Sequence, residues 1–238
     1  MTDSEILEKY QQPFPVSFKV IGIGNGVTDI IEKVKSFSYD CVGCFIANTP
    51  SDCTPMDDDR MAIIVARDNE ELANAIAKTY HEAGVLTIGL VYDPNIACYD
   101  SVTTDSRHED FPEIIKVLLQ PIATQGYICF DYNDLYTILH DSGYFKTLIA
   151  EGKNVEEAVN NMKKELAKVP AHHIESLSPH LYFNRERQPY ITTSDMKHLP
   201  DMISSLPESI NVIWSVNFDD TLSDDLIRFS IIMSGKEL

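Results

Sequence analysis

The sequence predicts an α/β protein whose first half contains a mostly parallel sheet. Short runs of apolar, often β-branched residues recur at 17–23, 41–48, 61–66 and 85–92. Such runs are typical of parallel strands covered by helices on both faces. Apolar residues at helical spacing follow the first and third runs, so strand and helix alternate as in a βαβ unit.

Glycine and capping signals mark where the first helices begin. The first strand runs into Gly22-Ile-Gly24-Asn25-Gly26, and an apolar helix face follows it: Val27, Ile30, Ile31, Val34 and Phe37. After the third strand, Asp68 is predicted to cap a second helix, with Glu71 at the capping-box position. Gly84 is expected to end that helix.

The pattern of residues in the second half of the sequence predicts a smaller α+β domain. A central helix is expected at 110–122, after a polar loop at 93–109. Further elements are predicted in this order: a strand at 144–150, helices at 155–167 and 196–206, and strands at 211–217 and 226–233. No element is assigned to 172–184. The acidic turn from Asp219 to Asp225 is interpreted as a solvated hairpin tip between the last two strands.

Composition restricts the classes of partner. The 238-residue chain has a formal net charge of -18, which disfavours nucleic acids and anionic membranes as partners. Its apolar runs all fall short of the ~20 residues that a membrane-spanning helix needs. Five scattered cysteines suit a reducing compartment. The protein is therefore expected to be cytoplasmic, without membrane insertion.

Residues 126–139 combine an apolar run with Asp131 and Asp134, placed three residues apart at the start of a helical pattern. One interpretation is structural, in which Asp131 caps the helix and Asp134 lies in its first turn. The other is chemical, in which the two carboxylates act together at a site. The capping role is the favoured one.

Two further groups are weighed as metal or redox sites. Cys41-Val-Gly-Cys44 has redox spacing, but it leads into an apolar strand, so buried structural cysteines are predicted. His172, His173 and His180 have only Glu175 as an acidic neighbour, and no second cysteine pair exists. No metal site is predicted.

Four stretches of the chain, in order, resemble the FtsZ/tubulin family of filament-forming GTPases. They cover the first strand and its glycine-rich turn, the fourth strand, the loop after the central helix and the last two strands: 18–26, 82–91, 127–135 and 210–226. The resemblance implies a Rossmann-like N-terminal domain with its central helix at 1–124. It also implies a C-terminal domain at 125–238.

The same resemblance implies candidate site residues. In the family, GTP lies in the first domain, and an acidic loop of the next subunit completes the hydrolytic site. Gly22, Gly24, Asn25 and Gly26 would then contact the nucleotide. Asp131 and Asp134 would be the catalytic acids of a shortened, polymerisation-dependent GTPase that uses GTP and Mg²⁺.

One departure from the family argues against that activity. The family's Gly-Gly-Gly-Thr-Gly-Thr-Gly phosphate loop is replaced by Arg67-Asp-Asn-Glu-Glu71. A triphosphate would meet three carboxylates, each repelling it by ~1 kcal/mol per charge pair even in water.

The sequence therefore predicts a degenerate relative without catalytic or nucleotide-binding residues and without a cofactor. Such a protein would act through contacts with itself or with another FtsZ-like protein, in cell division or a cytoskeletal filament. The shortened GTPase is the alternative. A small-ligand or regulatory domain, with a pocket at the carboxyl ends of the strands, is a third class.

Overall fold

The computed structural model describes residues 17–103, 107–124 and 126–237. Its strands lie in one continuous sheet. They are β1 (Phe18–Ile23), β2 (Val42–Ala47), β3 (Met61–Ala66), β4 (Leu86–Leu90), β5 (Ser101–Thr103), β6 (Gly126–Ile128), β7 (Gly143–Gly152), β8 (Ser176–Phe183), β9 (Asn211–Val212), β10 (Ser215–Phe218) and β11 (Ile227–Gly235). The order across the sheet is β2-β1-β3-β4-β5-β7-β11-β8-β10-β6, and β9 also pairs with β8.

The helices cover this sheet on both faces. They are α1 (Thr28–Lys35), α2 (Glu70–Glu82), α3 (Phe111–Ala123), α4 (Tyr132–Leu139), α5 (Val155–Leu166), α6 (Thr193–Met196) and α7 (His198–Ile203). Short 3₁₀ turns lie at 50–52, 96–98, 108–110 and 171–173. The predicted α/β class with a mostly parallel sheet is confirmed.

The first half owes its stability to two apolar layers on opposite faces of one parallel sheet. β1 and β3 are buried along their whole length, and their alternate side chains enter different clusters. α1 and α3 cover one face, and α2 covers the other. The apolar runs that form β1 and β3 therefore have the cause that was inferred for them, since both of their faces are covered, whereas β2 at the edge of the sheet is only partly buried.

The second half contains strand pairs that the sequence did not predict. β8 lies between β10 and β11, parallel to β10 and antiparallel to β11. The prediction of a hairpin between the last two strands is therefore wrong. β8 escaped prediction because its residues, Ser-Leu-Ser-Pro-His-Leu-Tyr-Phe, mix polar and apolar side chains although nearly all are buried.

The two halves are joined through the sheet and the core. β5 pairs in parallel with β7, Ser101 against Gly143 and Val102 against Tyr144. The apolar cluster under α3 also includes Phe145 of β7 and Ile232 of β11. The division into domains at 124/125 stays a prediction. No helix among the described residues is long and apolar enough to span a bilayer.

Candidate functional site

The carboxyl edge of the parallel sheet carries the segment that the sequence predicted as a nucleotide site. β1 and β3 pair in register, so that Ile23 lies opposite Ala66 at this edge. The glycine-rich turn from Gly24 to Gly26 leaves β1 at the point where Arg67 and Asp68 leave β3. The two loops are therefore adjacent, and their side chains meet.

Asp68 binds the glycine-rich turn with both carboxylate oxygens. The backbone N–H of Asn25 donates to Oδ1 over 3.0 Å, and the Asn25 side-chain amide donates to Oδ2 over 2.8 Å. A backbone N–H in a glycine-rich turn is the kind of donor that holds a phosphate oxygen in nucleotide-binding loops. In this protein a carboxylate of the same chain accepts from it.

The prediction that Asp68 caps the second helix is wrong. α2 begins at Glu70, and its N-cap is Asn69, whose side chain accepts from the backbone N–H of Leu72 over 3.2 Å. Asp and Asn are about equally good N-caps, so propensity could not distinguish the two neighbours. Asp68 hydrogen-bonds to Asn25, 43 residues away in the sequence, and this contact explains why Asp68 does not cap the helix.

Arg67 connects the same turn to the start of the central helix. Its Nη1 donates to the carbonyl of Gly26 over 2.9 Å, and its Nε donates to Nδ1 of His108 over 3.1 Å. The His108 ring makes edge contacts with Tyr92 and Phe111. Burial, together with the adjacent guanidinium of Arg67, lowers the pKa of His108 below its ordinary value. The imidazole is thus held neutral, as an acceptor for Arg67.

These contacts fill the space above the glycines. A Cβ added at Gly24 would overlap Oδ1 of Asp68, and one added at Gly26 would overlap Nη1 of Arg67. Both glycines have positive φ, +89° and +73°. They therefore serve the turn and the close approach of the chain's own side chains, which occupy the place where a Cβ would lie.

Two open cavities flank this Arg67–Asp68 bridge. One of about 300 Å³ is lined by Gly24, Asn25, Ala47, Asn48, Asp68, Asn69 and Leu72. The other, about 440 Å³, lies between α1 and the start of α3 and is lined by Gly26, Asp29, Ile30, Lys33, Arg67, His108, Glu109, Pro112 and Glu113. The lining of the smaller cavity is mainly polar, whereas the larger one exposes more apolar than polar surface between its charged side chains.

Asp131 and Asp134 form the capping box of α4. Asp131 accepts from the backbone N–H groups of Asn133 and Asp134 over 2.7 and 3.1 Å. Asp134 Oδ2 accepts in return from the backbone N–H of Asp131 over 3.0 Å. The predicted capping role is confirmed, and a catalytic role stays a prediction.

This capping box lies at the opposite edge of the sheet from the glycine-rich turn. Tyr132 stacks on Phe18, the first residue of β1, and its hydroxyl donates over 2.8 Å to the carbonyl of Arg60, directly before β3. Arg67 follows the other end of β3, and a six-residue strand spans roughly 17–20 Å. One chain therefore cannot bring its two candidate half-sites together.

The cysteine and histidine candidates do not form sites in the described structure. Cys41 and Cys44 are each partly exposed, so the prediction that they are buried is wrong; β2 is the outer strand of the sheet. His180 is fully buried and hydrogen-bonds to Ser178 and Ser215 on either side. Burial lowers its pKa to about 3. It is thus a neutral core residue.

Asp219 is a buried acid, so the prediction that it lies at a solvated hairpin tip is wrong. It is 6% exposed, and its Oδ2 accepts from Gln120 over 2.7 Å and pairs with Lys116 at 3.4 Å. Burial alone would raise its pKa, but the bonds from Thr221 and Gln120 and the charge of Lys116 lower it overall. An acid expected at a solvated tip instead joins the end of β10 to the central helix.

Comparisons with known proteins agree on the fold alone. No protein-family model and no characterised protein matches the sequence. Two solved structures of FtsZ from M. jannaschii match: an empty FtsZ dimer (TM-score 0.68, 14% identity, 99% of this chain and 92% of that chain) and a tryptophan-to-tyrosine mutant (TM-score 0.71, 16% identity, 98% and 95%). GDP-form protofilaments of TubZ from Bacillus thuringiensis serovar israelensis also match (TM-score 0.61, 10% identity, 98% and 88%). The protein therefore has an FtsZ/tubulin-like fold.

Proposed function

We propose that this chain is a degenerate FtsZ/tubulin-like protein that neither binds nor hydrolyses GTP and that acts through contacts between subunits. The observation that carries the proposal is the Asp68 carboxylate on the backbone N–H of Asn25. A phosphate at that donor would have to displace a bound anion of the protein itself. It would also approach the carboxylates of Glu70 and Glu71, which replace the glycines of the family's phosphate loop.

The electrostatic balance supports the same conclusion. Arg67, the cation nearest to the turn, is already bound to the carbonyl of Gly26 and to His108. The chain as a whole carries a formal charge of -18. Replacing one bound carboxylate by a triphosphate would add negative charge to a site whose nearest cation has other partners.

The shape of the molecule favours assembly end to end. The glycine-rich turn and the capping box of α4 lie at opposite edges of one sheet, so two copies must stack head to tail for these surfaces to meet. Such heterologous contacts repeat into filaments when the rotation between copies does not close a ring. One matching FtsZ structure is described as a dimer and one matching TubZ structure as protofilaments, which supports the proposal that this chain associates with itself.

One strongly exposed aromatic residue lies next to the capping box, and another lies on a loop elsewhere. Tyr127 is 76% exposed on β6, four residues before the capping box. Tyr190 is 68% exposed on the loop before α6. Aromatic side chains often dominate the energetics of an interface. Because Tyr127 lies near the capping box and Tyr190 does not, we expect only Tyr127 to contribute to end-to-end contact.

The test is the association state in the absence of nucleotide, measured by sedimentation over a range of protein concentrations. The wild-type protein is expected to associate. Tyr127→Asp should weaken the association by at least about tenfold, as expected for loss of an interface anchor. Tyr190→Asp should leave it unchanged. A protein that stays monomeric, or that associates only with GTP and Mg²⁺, would overturn the proposal.

The alternative, a shortened GTPase, makes the opposite prediction. GTP would enter beside Gly22, Gly24, Asn25 and Gly26, and Asp131 and Asp134 of a neighbouring copy would support hydrolysis. In that case Asp134→Ala would abolish turnover and leave nucleotide binding intact.

The proposed localisation is the cytoplasm. The proposed process is cell division or the formation of a cytoskeletal filament, and another FtsZ-like protein is proposed as a further partner.

A further inference from the structure

The amino edge of the sheet, which also carries the capping box of α4, holds a histidine–carboxylate cluster. We call Asp100, His140 and Asp141 the amino-edge cluster. The atoms that could bind a metal ion lie within 4.8 Å of one another. In the part of the chain that the structure describes, no other group of three histidine, cysteine or acidic residues meets this distance. Asp100 precedes β5, and the other two follow α4, so the fold brings them together from positions 40 residues apart.

Asp100 is the buried base of the cluster, with its side chain 2% exposed. Oδ2 accepts from the backbone N–H of Thr87 over 2.7 Å and lies 3.4 Å from Nδ1 of His81. Oδ1 lies 2.6 Å from Nδ1 of His140. Because a carboxylate can only accept, the proton in this short contact belongs to Nδ1 of His140.

The other ring nitrogen of His140 faces the second carboxylate of the cluster. Nε2 lies 3.4 Å from Oδ2 of Asp141. A metal ion between these two atoms would accept a lone pair from each. Tetrahedral zinc, with bonds of about 2.0–2.2 Å to nitrogen and oxygen, separates its ligand atoms by about 3.3 Å. The observed spacing therefore fits two ligands of one ion.

Two helix ends, a small cavity and the ammonium group of Lys236 surround the cluster. α2 ends at Glu82 and α4 ends at Leu139, so the partial negative charges of two helix C-termini lie near the cluster. A cavity of about 60 Å³ beside it is lined in part by His81, Asp100, Tyr136 and His140. That volume holds about two water molecules. Lys236 donates to the carbonyl of Asp141.

The ring and the carboxylate are held in place by their neighbours. Tyr136 stacks on His140, with ring centres 4.4 Å apart and planes 18° apart. Asp141 has a φ of 51°, at a helix end where glycine is the usual residue. An aspartate there places a carboxylate beside His140 at a conformational cost that glycine would avoid.

We propose that the amino-edge cluster binds a divalent transition-metal ion of the zinc type. Nε2 of His140 and a carboxylate oxygen of Asp141 are the ligands. Asp100 accepts the hydrogen bond from Nδ1 and so fixes the orientation of the imidazole. This is the carboxylate–histidine–metal arrangement found in many zinc sites. The imidazole ligand favours zinc over Mg²⁺ and Ca²⁺, which prefer oxygen. Water fills the remaining positions.

Zinc titration calorimetry of the full chain, with Co²⁺ absorption as a second readout, tests the proposal. One Zn²⁺ is expected to bind saturably, and millimolar Mg²⁺ should not compete. Asp141→Asn removes the carboxylate, yet asparagine tolerates positive φ, so the fold is kept. It should weaken binding by at least about tenfold, and His140→Gln should do the same. His173→Gln is the matched control and should bind as the wild type does.

Affinity should also fall as the pH falls, because protons compete with the metal for Nε2. In nitrogen-15 spectra, Zn²⁺ should shift the Nε2 resonance of His140. Absence of saturable Zn²⁺ binding, or binding that Asp141→Asn and His140→Gln leave unchanged, would overturn the proposal. An unshifted Nε2 resonance at saturating Zn²⁺ would do so as well.

Discussion

At the scale of single residues, Asp68 decides what the glycine-rich turn can bind. Its carboxylate takes the backbone and side-chain N–H groups of Asn25, and Arg67 takes the carbonyl of Gly26. The glycines remain in the sequence because the turn needs positive φ and close approach. A glycine pattern that resembles a phosphate loop thus serves contacts within the chain.

Gly24→Ala tests whether Asp68 lies on the turn. An alanine at positive φ costs roughly 1–2 kcal/mol of stability. At Gly24 it must also push the Asp68 carboxylate off Asn25, so we expect a further loss of about 1–2 kcal/mol. Gly84→Ala is the matched control, because Gly84 has a φ of +76° and nothing within 4 Å of an added Cβ. Denaturant unfolding gives the free energies of unfolding.

In an Asp68→Ala background, the excess cost of Gly24→Ala over Gly84→Ala should disappear. An excess that persists without the carboxylate would show that Asp68 does not occupy the space above Gly24.

His180 gives the protein an acid sensitivity of known sign. Its pKa is about 3 in the folded state because of burial, against about 6.5 when unfolded. The unfolded chain therefore binds the proton more readily, and His180 lowers stability as the pH falls from 6.5 towards 3. The slope approaches about 1.4 kcal/mol per pH unit.

The free energy of unfolding between pH 7 and pH 5 measures this effect. His180→Gln should flatten the pH dependence, whereas His172→Gln, at an exposed position, should not. Equal slopes in the wild type and in His180→Gln would contradict the assignment of a buried neutral imidazole.

At the scale of secondary structure, elements with a long apolar pattern could be predicted from the sequence, whereas features that depend on tertiary contacts could not. β1, β3, α2 and α3 follow from apolar periodicity. Asn69 caps α2 because Asp68 is bound elsewhere, and no local rule contains that contact. β5 has three residues, and β8 is a buried strand with a polar pattern. Both are defined by their neighbours in the sheet, so the sequence alone did not indicate them.

The capping box of α4 predicts that Asp131 stabilises the helix as a hydrogen-bond acceptor and not through its charge. Asp131→Ala removes the acceptor for two backbone N–H groups and should cost about 1 kcal/mol. Asp131→Asn should cost much less, because asparagine caps as well as aspartate. Thermal unfolding of the two variants measures the difference. A similar loss for both would mean that the charge matters, not the cap.

At the scale of the whole molecule, the central helix joins the two halves. α3 is buried on most of its surface, and Lys116 and Gln120 reach Asp219 beyond β10. With the pairing of β5 and β7, this contact makes one continuous structure. We expect a single cooperative unfolding transition in calorimetry.

Asp219→Ala should destabilise the protein by about 2–4 kcal/mol, because it leaves the largely buried Lys116 and Gln120 without their acceptor. Asp220→Ala is the control: its partner Arg185 is on the surface, where an ion pair contributes roughly 0–1 kcal/mol. Urea unfolding compares the two. Equal effects would show that Asp219 does not connect the halves.

The central claim is that the chain's own carboxylate replaces phosphate at the glycine-rich turn. The most direct measurement is a fluorescence titration of the wild-type protein with labelled GTP in the presence of Mg²⁺. We predict no saturable binding and no phosphate release, at protein concentrations where subunits associate. Micromolar binding with magnesium-dependent turnover would contradict the account.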